Sequence, residues 1–267
     1  MIFRSWLLAA AGLVLSAVSA RAETICTAFA DAGTGEILKQ EGACDQRVTA
    51  VSTFKIALAL MGYDSGFLKD GHDPKLPFKK GYADWIKSWR TDTDPTSWIR
   101  NSVVWYSWQI TQSLGDARFK RYVETFDYGN RDVSGNAGKN DGLTRSWLSS
   151  SLKISPLEQL TFLEKIVNRK LPVSTRAFVM TARITTIGKL SNGWEVHGKT
   201  GTGFPRKPNG KEDRSRSYGW FVGWATKGDR TIVFARLIQD GKREEEPAGP
   251  RAREAFLQEL PQTLNAL

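Results

Sequence analysis

The sequence contains few of the residues that most often hold metal ions. Its 267 residues include 2 cysteines and 2 histidines. That is too few for a structural zinc site built from Cys and His, or for a histidine-rich two-metal hydrolase. The sequence also has no internal repeat, no low-complexity segment and no linker rich in Pro, Gly and Ser. These absences exclude a metal-centred mechanism and predict one cooperative domain.

Positive charge is in excess. Lys and Arg number 38 against 28 Asp and Glu, a net charge of +10, while 40% of the residues are hydrophobic, enough for a packed core. A basic balance is compatible with nucleic acid, an anionic surface or a merely basic soluble protein. The densest basic stretch, residues 206–216, contains Pro and Gly and is interrupted by Glu212 and Asp213. We interpret it as a solvated loop and predict no nucleic-acid partner.

The first 22 residues have the pattern of a secretory signal peptide. A positive start is followed by a thirteen-residue apolar run, residues 6–18, and by small residues ending at Ala22. The run is too short to span a bilayer comfortably, although an uncleaved anchor is the alternative. Cleavage after Ala22 would leave residues 23–267 as one exported domain with two lobes and no membrane attachment.

Both cysteines lie beyond that cleavage point. Cys26 and Cys44 flank two short predicted strands around a Gly-rich turn. In an oxidising compartment such a pair across a hairpin is expected to form a disulfide. Two separate buried thiols are the alternative.

Hydrophobic periodicity predicts strands at both ends of the chain and helices between them. The fold class is therefore α/β of the α+β type: an antiparallel sheet built from both termini and flanked by helices, with an inserted helical lobe at about residues 65–190. Ser155, Pro156 and Glu158 form a capping box with Pro at the first helical position. The active site is expected between the two lobes. Strands are predicted at residues 24–31, 36–40, 194–204, 217–225 and 231–238, and helices at 52–63 and 251–260, the last ending before Pro261.

Ser52 and Lys55 form the first pattern that suggests catalysis. Positions i and i+3 of a helix share a face, so both side chains point the same way near a helix N-terminus. Serine needs a base to act as a nucleophile, and burial of a lysine lowers its pKa until the neutral amine can serve as that base. Alone, the tetrad is weak, since an ordinary first helical turn has the same composition.

Two further patterns follow in a fixed order. Ser102-Val103-Val104 follows a predicted loop and leads into a helical run, and Lys199-Thr200-Gly201 lies in a predicted strand. Small residues beside a serine site let a substrate backbone approach closely, and the lysine supplies positive charge for an anionic substrate. Taken singly, Ser102 would be a helix cap and Lys199 an exposed strand lysine; the joint order favours an active site.

With these three motifs the sequence resembles the penicillin-recognising serine enzymes. S-x-x-K and K-T-G are common to that superfamily, while S-x-V in the middle position is typical of the class D (oxacillinase-type) β-lactamases rather than class A. Tyr128-Gly129-Asn130 and Trp147-Leu148 resemble two further class D segments. The resemblance extends over about residues 24–264 and implies hydrolysis of the β-lactam ring, hence antibiotic resistance.

The resemblance implies the roles of the catalytic residues. Ser52 would be acylated, and Lys55 would carry CO2 as a carbamate (N6-carboxylysine) that acts as general base. Trp147 would donate its indole N–H to that carbamate. Ser102 would relay the proton to the leaving nitrogen, and Lys199 would support that transfer electrostatically.

It also implies the residues that bind the substrate. Thr200 and Arg251 would hold the substrate carboxylate, and the backbone N–H groups of Ser52 and Thr202 would form the oxyanion hole, beside the small residue Gly201. The apolar wall of the pocket would consist of Val104, Leu148 and Trp89. No cofactor is implied besides the CO2 or bicarbonate that carboxylates Lys55; the partners are small-molecule β-lactams, and the compartment is the periplasm.

One rival function stays open on the sequence, and one rival mechanism is discounted. A penicillin-binding transpeptidase or β-lactam sensor would share the acylation chemistry but deacylate slowly. A class A-like mechanism would need a glutamate base. The nearest candidate in the segment after Trp147-Leu148 is Glu158, which is already explained as a capping-box residue. The sequence predicts neither the substrate spectrum nor the oligomeric state.

Overall fold

The structure is a computed structural model that describes residues 22–267. The predicted signal peptide lies outside the described residues, apart from Ala22. The strands are β1 (Glu23–Asp31), β2 (Ile37–Gly42), β3 (Val48–Thr49), β4 (Lys153–Ile154), β5 (Thr186–Lys189), β6 (Glu195–Gly203), β7 (Tyr218–Lys227) and β8 (Arg230–Gln239). The helices are α1 (Lys55–Asp64), α2 (Pro95–Asn101), α3 (Val104–Thr125, interrupted at Gly115), α4 (Gly142–Arg145), α5 (Pro156–Val167), α6 (Thr175–Thr185) and α7 (Ala248–Ala266), with 3-10 turns at Val51–Phe54 and Lys87–Trp89.

The predicted sheet from both chain ends is confirmed. Its order is β2-β1-β8-β7-β6-β5, with every neighbouring pair antiparallel. Two strands come from the N-terminal segment and four from the C-terminal segment, and α1 to α6 lie between them in the chain. The β1–β8 pairing therefore joins the two ends of the chain in the middle of the sheet.

Both faces of the sheet are buried, and side chains of β7 alternate between them. Trp220, Val222 and Trp224 pack into the larger apolar cluster with α1, α3 and α5. Phe221 and Ala225 pack into the second cluster beneath α7. This period of two is what a central strand covered on both sides requires.

The last helix is longer than predicted. Pro261 was expected to end it, but α7 runs through that residue to Ala266. Pro261 lacks the N–H that would bond to the carbonyl one turn earlier. Leu260 and Leu264 are nonetheless buried against the sheet at 0% and 2% exposure, and this packing carries the helix past the proline.

Capping side chains determine where two helices of the middle segment begin. Ser155 Oγ accepts from Glu158 N–H at 3.2 Å, and Glu158 Oε2 accepts from Ser155 N–H at 2.9 Å, which is the predicted capping box. Asp94 caps α2 in the same reciprocal way with Ser97. Ser102 was expected after a loop; it instead follows α2 directly as the residue that closes that helix.

Cys26 and Cys44 form the predicted disulfide, with a Cα–Cα distance of 5.0 Å. The bond ties β1 to the segment that follows β2. No helix within residues 22–267 combines the length and apolar character needed to cross a bilayer.

Candidate active site

Ser52 and Lys55 meet at the entrance to α1. Ser52 lies in the 3-10 turn Val51–Phe54, and Lys55 begins the helix. Lys55 Nζ lies 2.9 Å from Ser52 Oγ, which is hydrogen-bond distance. Lys55 is fully buried, while Ser52 is partly exposed to the cleft. The sequence-predicted pair is therefore in place, with the amine behind the hydroxyl.

Burial favours the neutral form of both lysines in the motifs. The pKa of Lys55 is lowered well below its usual value, first by desolvation and then by the positive charge of Lys199. The pKa of Lys199 is lowered to about 7, first by burial and then by the charge of Arg253. Lys199 is 5% exposed, so it is not the exposed strand lysine that its position alone would suggest. Lys55 can accept a proton at neutral pH.

β6 passes directly beside the serine. A Cβ added at Gly201 would lie 2.6 Å from Val51 Cγ2 and 3.3 Å from Ser52 N, so a larger residue would force the strand away from the turn. Val51 has a φ of 45°, an unusual value for a β-branched residue, and its N–H donates to Trp147 O at 2.9 Å. Close approach and a strained turn thus fix Ser52 between β6 and the segment of Trp147.

Trp147 is completely buried with an unsatisfied indole. Its ring centroid lies 5.4 Å from that of Phe54 and 6.0 Å from that of Phe119. Within residues 22–267, its Nε1 has no hydrogen-bond partner. A buried donor left unpaired costs about 1–3 kcal/mol, so this site is suited to an acceptor that arrives later.

Ser102 is positioned by backbone strain and by aromatic contacts. It occupies the left-handed region (φ 57°, ψ 36°) between α2 and α3. Trp89 Nε1 donates to the carbonyl of the preceding residue, Asn101, at 2.9 Å, and Trp105 Nε1 donates to Trp89 O at 2.9 Å. Trp89, at 4% exposure, therefore supports the Ser102 turn from behind.

A cleft of about 830 Å³ opens over these residues, within the range of sites for drug-sized ligands. Six of the sequence-predicted residues besides Ser52 and Ser102 line it: Trp89, Val104, Leu148, Thr200, Gly201 and Thr202. Lys199 lies just below, with its Nζ donating to Thr200 O at 3.1 Å. The structure thus brings most of the predicted site together.

Among the predicted substrate-binding residues, Arg251 is the one that does not line the cleft. Its Nη2 donates to both carboxylate oxygens of Asp240 at 2.7 Å, and its Nε donates to Glu246 O at 3.0 Å. Asp240 is 2% exposed, so this ion pair is buried at its acidic end. The arginine that lines the cleft from α7 is Arg253.

Trp85, Arg145 and Arg253 are among the cleft residues that were not predicted from the sequence. Arg253 lies two positions after the predicted arginine, and the residue spacing does not show which of the two faces the cleft. Trp85 and Arg145 also line it, contributed by segments about 60 residues apart. No local sequence pattern predicts that Trp85 and Arg145 line the same cleft, because this depends on tertiary packing.

Comparison with known proteins agrees with the family that the motifs indicate. The family model of the penicillin-binding protein transpeptidase domain matches residues 25–262. The chain is 47% identical to β-lactamase OXA-9 of Klebsiella pneumoniae over 251 residues, which is 93% of this chain and 91% of that protein. It is 40% identical to β-lactamase OXA-1 of Escherichia coli over 222 residues, covering 80% and 75% of the two chains. The crystal structure of the OXA-427 class D β-lactamase superposes with a TM-score of 0.86 at 49% identity, covering 90% of this chain and 98% of that one.

The chain belongs to the class D β-lactamases. The class D segment at Tyr128 has a packing role beside the site: this residue is fully buried, and its ring lies edge-on 5.0 Å from that of Phe54. Gln159 Nε2 lies 3.0 Å from Thr53 Oγ1, in the same buried group next to Ser52. Glu158, the candidate base of a class A-like mechanism, is instead occupied by its capping box and by Arg47, whose Nε lies 2.9 Å from Oε2.

Proposed function

We propose that this class D enzyme opens the β-lactam ring through an acyl-enzyme on Ser52, with a carboxylated Lys55 as general base. The observation that carries the proposal is the 2.9 Å contact between Ser52 Oγ and a buried amine whose pKa is lowered well below its usual value. A serine hydroxyl held against such a base is the arrangement that nucleophilic catalysis requires.

Carboxylation of Lys55 fits the residues around it. A neutral amine adds CO2 to give a carbamate and releases one proton, and desolvation keeps Lys55 in the neutral form. The unpaired Trp147 Nε1 would donate to the anionic carbamate oxygen, which removes the cost of an unsatisfied buried donor. The negative charge of the carbamate would favour the protonated form of the nearby Lys199, and the charge of that ammonium would in turn stabilise the anion.

In acylation the base takes the proton from Ser52 Oγ, which attacks the lactam carbonyl carbon. The backbone N–H groups of Ser52 and Thr202 stabilise the resulting oxyanion. The ring C–N bond then breaks: Ser102 gives its hydroxyl proton to the leaving nitrogen and takes up the proton held by the base, while Lys199 supports the transfer. This relay leaves the base free to accept a proton again. In deacylation the same base takes a proton from water, whose oxygen attacks the acyl carbon. The bond between that carbon and Ser52 Oγ then breaks, the base returns the proton to Oγ, and the opened product leaves.

The substrate carboxylate is assigned to Thr200, Lys199 and Arg253 rather than to Arg251. Successive helical residues are about 100° apart, so positions 251 and 253 lie about 200° apart and face opposite ways. Arg251 is held by Asp240, whereas Arg253 lines the cleft and acts electrostatically on Lys199. A planar guanidinium suits a carboxylate because it can bind it bidentately. Val104, Leu148 and Trp89 form the apolar wall.

Export to the periplasm, and maturation to a single two-lobed domain at residues 23–267, are part of the same proposal. The signal-peptide pattern and the Cys26–Cys44 disulfide support it, because disulfides persist in oxidising compartments.

A nucleic-acid role is not proposed. Two basic side chains of the loop at residues 206–216 make contacts within the protein. Arg206 donates to Ser149 O and to Asn136 Oδ1, and Lys207 Nζ lies 3.7 Å from Asp213.

Steady-state turnover of a chromogenic cephalosporin tests the proposal against its rival, a transpeptidase or sensor. We expect many turnovers per enzyme molecule, and a loss of at least about a thousandfold in Ser52→Ala, whose fold is checked by circular dichroism. One equivalent of stable acyl-enzyme without turnover would replace the hydrolase by the slow-deacylating alternative.

A further inference from the structure

An aromatic and cationic cluster adjoins the apolar wall of the cleft, and apart from Trp89 its members have no role in the steps above. It consists of Trp85, Trp89, Trp108 and Arg145, of which Trp85, Trp89 and Arg145 line the cleft. Trp85 is 56% exposed, a high value for an indole, and it lies at the site itself. Its ring centroid is 5.8 Å from that of Trp89 and 6.3 Å from that of Trp108.

Arg145 is held by two aromatic faces. Its guanidinium carbon lies 5.3 Å from the ring centroid of Trp85 and 5.8 Å from that of Trp108. Trp108 is fixed in turn, since its Nε1 donates to Thr144 O at 2.8 Å. The two rings lie at 78° to each other, so the guanidinium can stack flat on at most one of them. The contacts with both rings hold it beside the cleft and leave its N–H edge available.

No carboxylate within residues 22–267 forms an ion pair with that edge. Asp141 is the acid on which the charge of Arg145 acts, contributing to its lowered pKa. The Asp141 carboxylate is itself engaged by Asn136, whose N–H and Nδ2 donate to it at 2.7 Å and 2.9 Å. Arg145 therefore brings into the cleft a cation that forms no ion pair with the described residues.

The geometry of the substrate places its acyl side chain on this wall. In a penicillin the ring carboxylate and the acylamino group lie at opposite ends of the fused rings. The carboxylate end is assigned to β6 and α7, through Thr200 and Arg253. The acylamino end then extends from Ser52 toward the wall that carries Trp85 and Arg145.

We propose that Trp85 and Arg145 form a side-chain subsite that selects an aryl group bearing a carboxylate on the adjacent carbon. The aryl ring packs on the exposed face of Trp85, and the carboxylate accepts from the N–H edge of Arg145. The assignment rests on the proposed function, because it needs a β-lactam acylating Ser52.

A matched pair of substrates isolates the effect. Benzylpenicillin carries a phenylacetyl side chain, and carbenicillin carries the same side chain with one added carboxylate; the bare penicillin nucleus lacks the side chain. In Arg145→Gln we expect kcat/KM for carbenicillin relative to benzylpenicillin to fall about tenfold, mostly through KM. Arg145→Lys, which keeps the charge, should retain most of the preference.

Trp85→Ala serves as the partner variant. It should lower kcat/KM for both aryl penicillins by a similar factor, about threefold to tenfold, and leave the bare nucleus unchanged. If Arg145→Gln changes the two aryl substrates by the same factor, or if Trp85→Ala affects all three substrates equally, the subsite is wrong and the cluster is structural. Failure of the wild-type enzyme to hydrolyse benzylpenicillin at all would count against the proposed function instead.

Discussion

The amine of Lys55 lies 2.9 Å from the hydroxyl of Ser52, and the influences on its pKa are burial and a second lysine rather than a carboxylate. An ion pair would keep Lys55 protonated and unable to accept a proton. Here desolvation and like charge both favour the neutral amine. The neutral amine that the proposed carboxylation requires therefore results from where α1 places Lys55.

The lowered pKa of Lys199 predicts a pH dependence of stability. In the folded state this pKa is about 7, against a usual value of 10.5. Between these pH values the unfolded chain binds the proton and the folded chain does not, so the group makes stability rise with pH, by at most about 1.4 kcal/mol per pH unit. Below pH 7 both states are protonated and the cost of burying the charge is complete.

Lys199→Met should remove that slope. In bicarbonate-free buffer, where Lys55 is uncarboxylated, urea unfolding should find the variant more stable than wild type near pH 7, with the difference shrinking toward pH 10. Parallel stability curves across this range would mean that Lys199 is not desolvated in the folded protein.

Trp147→Phe removes the indole N–H but keeps an aromatic ring beside Phe54 and Phe119. We expect deacylation to slow more than acylation. Acyl-enzyme should therefore accumulate, which a rapid-quench experiment with mass detection would measure. The bicarbonate concentration for half-maximal activity should also rise, because the carbamate loses a donor. Equal slowing of both steps with an unchanged bicarbonate requirement would indicate a packing role.

Substitution of Arg251 should affect mainly stability, and substitution of Arg253 should affect mainly substrate binding. Arg251→Ala leaves the buried carboxylate of Asp240 unpaired, and we expect a loss of about 3 kcal/mol in the free energy of unfolding. Arg253→Ala should leave stability nearly unchanged and raise KM for a penicillin about tenfold, with little effect on the methyl ester of that penicillin. The opposite division of effects would return the carboxylate-binding role to Arg251.

Much of the fold follows from local sequence patterns. Residues 217–225 were predicted as a strand, and Ser155 with Glu158 predicted the start of α5, because both depend on neighbouring residues alone. Pro261 was misleading, since the burial of Leu260 and Leu264 outweighs the missing N–H in α7. Propensity could not have shown this, because the gain comes from the sheet beneath.

In the active site too, features set by local sequence patterns were predicted, and features set by tertiary packing were not. The motifs of Ser52, Ser102 and Lys199 were visible because their spacing is characteristic. Whether Arg251 or Arg253 faces the cleft depends on the rotation of α7 about its axis and on the buried position of Asp240. Residue spacing in the sequence predicts neither. The contact of Trp85 with Arg145 joins two segments distant in the chain, and it exists only after folding.

Detection of the carbamate tests the central claim most directly. With carbon-13-labelled bicarbonate, NMR of the wild-type enzyme and of Ser52→Ala should show one protein-bound carbamate resonance, absent from Lys55→Ala. In the wild type its intensity should rise with bicarbonate in parallel with hydrolytic activity. Full activity in CO2-free buffer with no carbamate resonance would contradict the account, because unmodified Lys55 would then be the base.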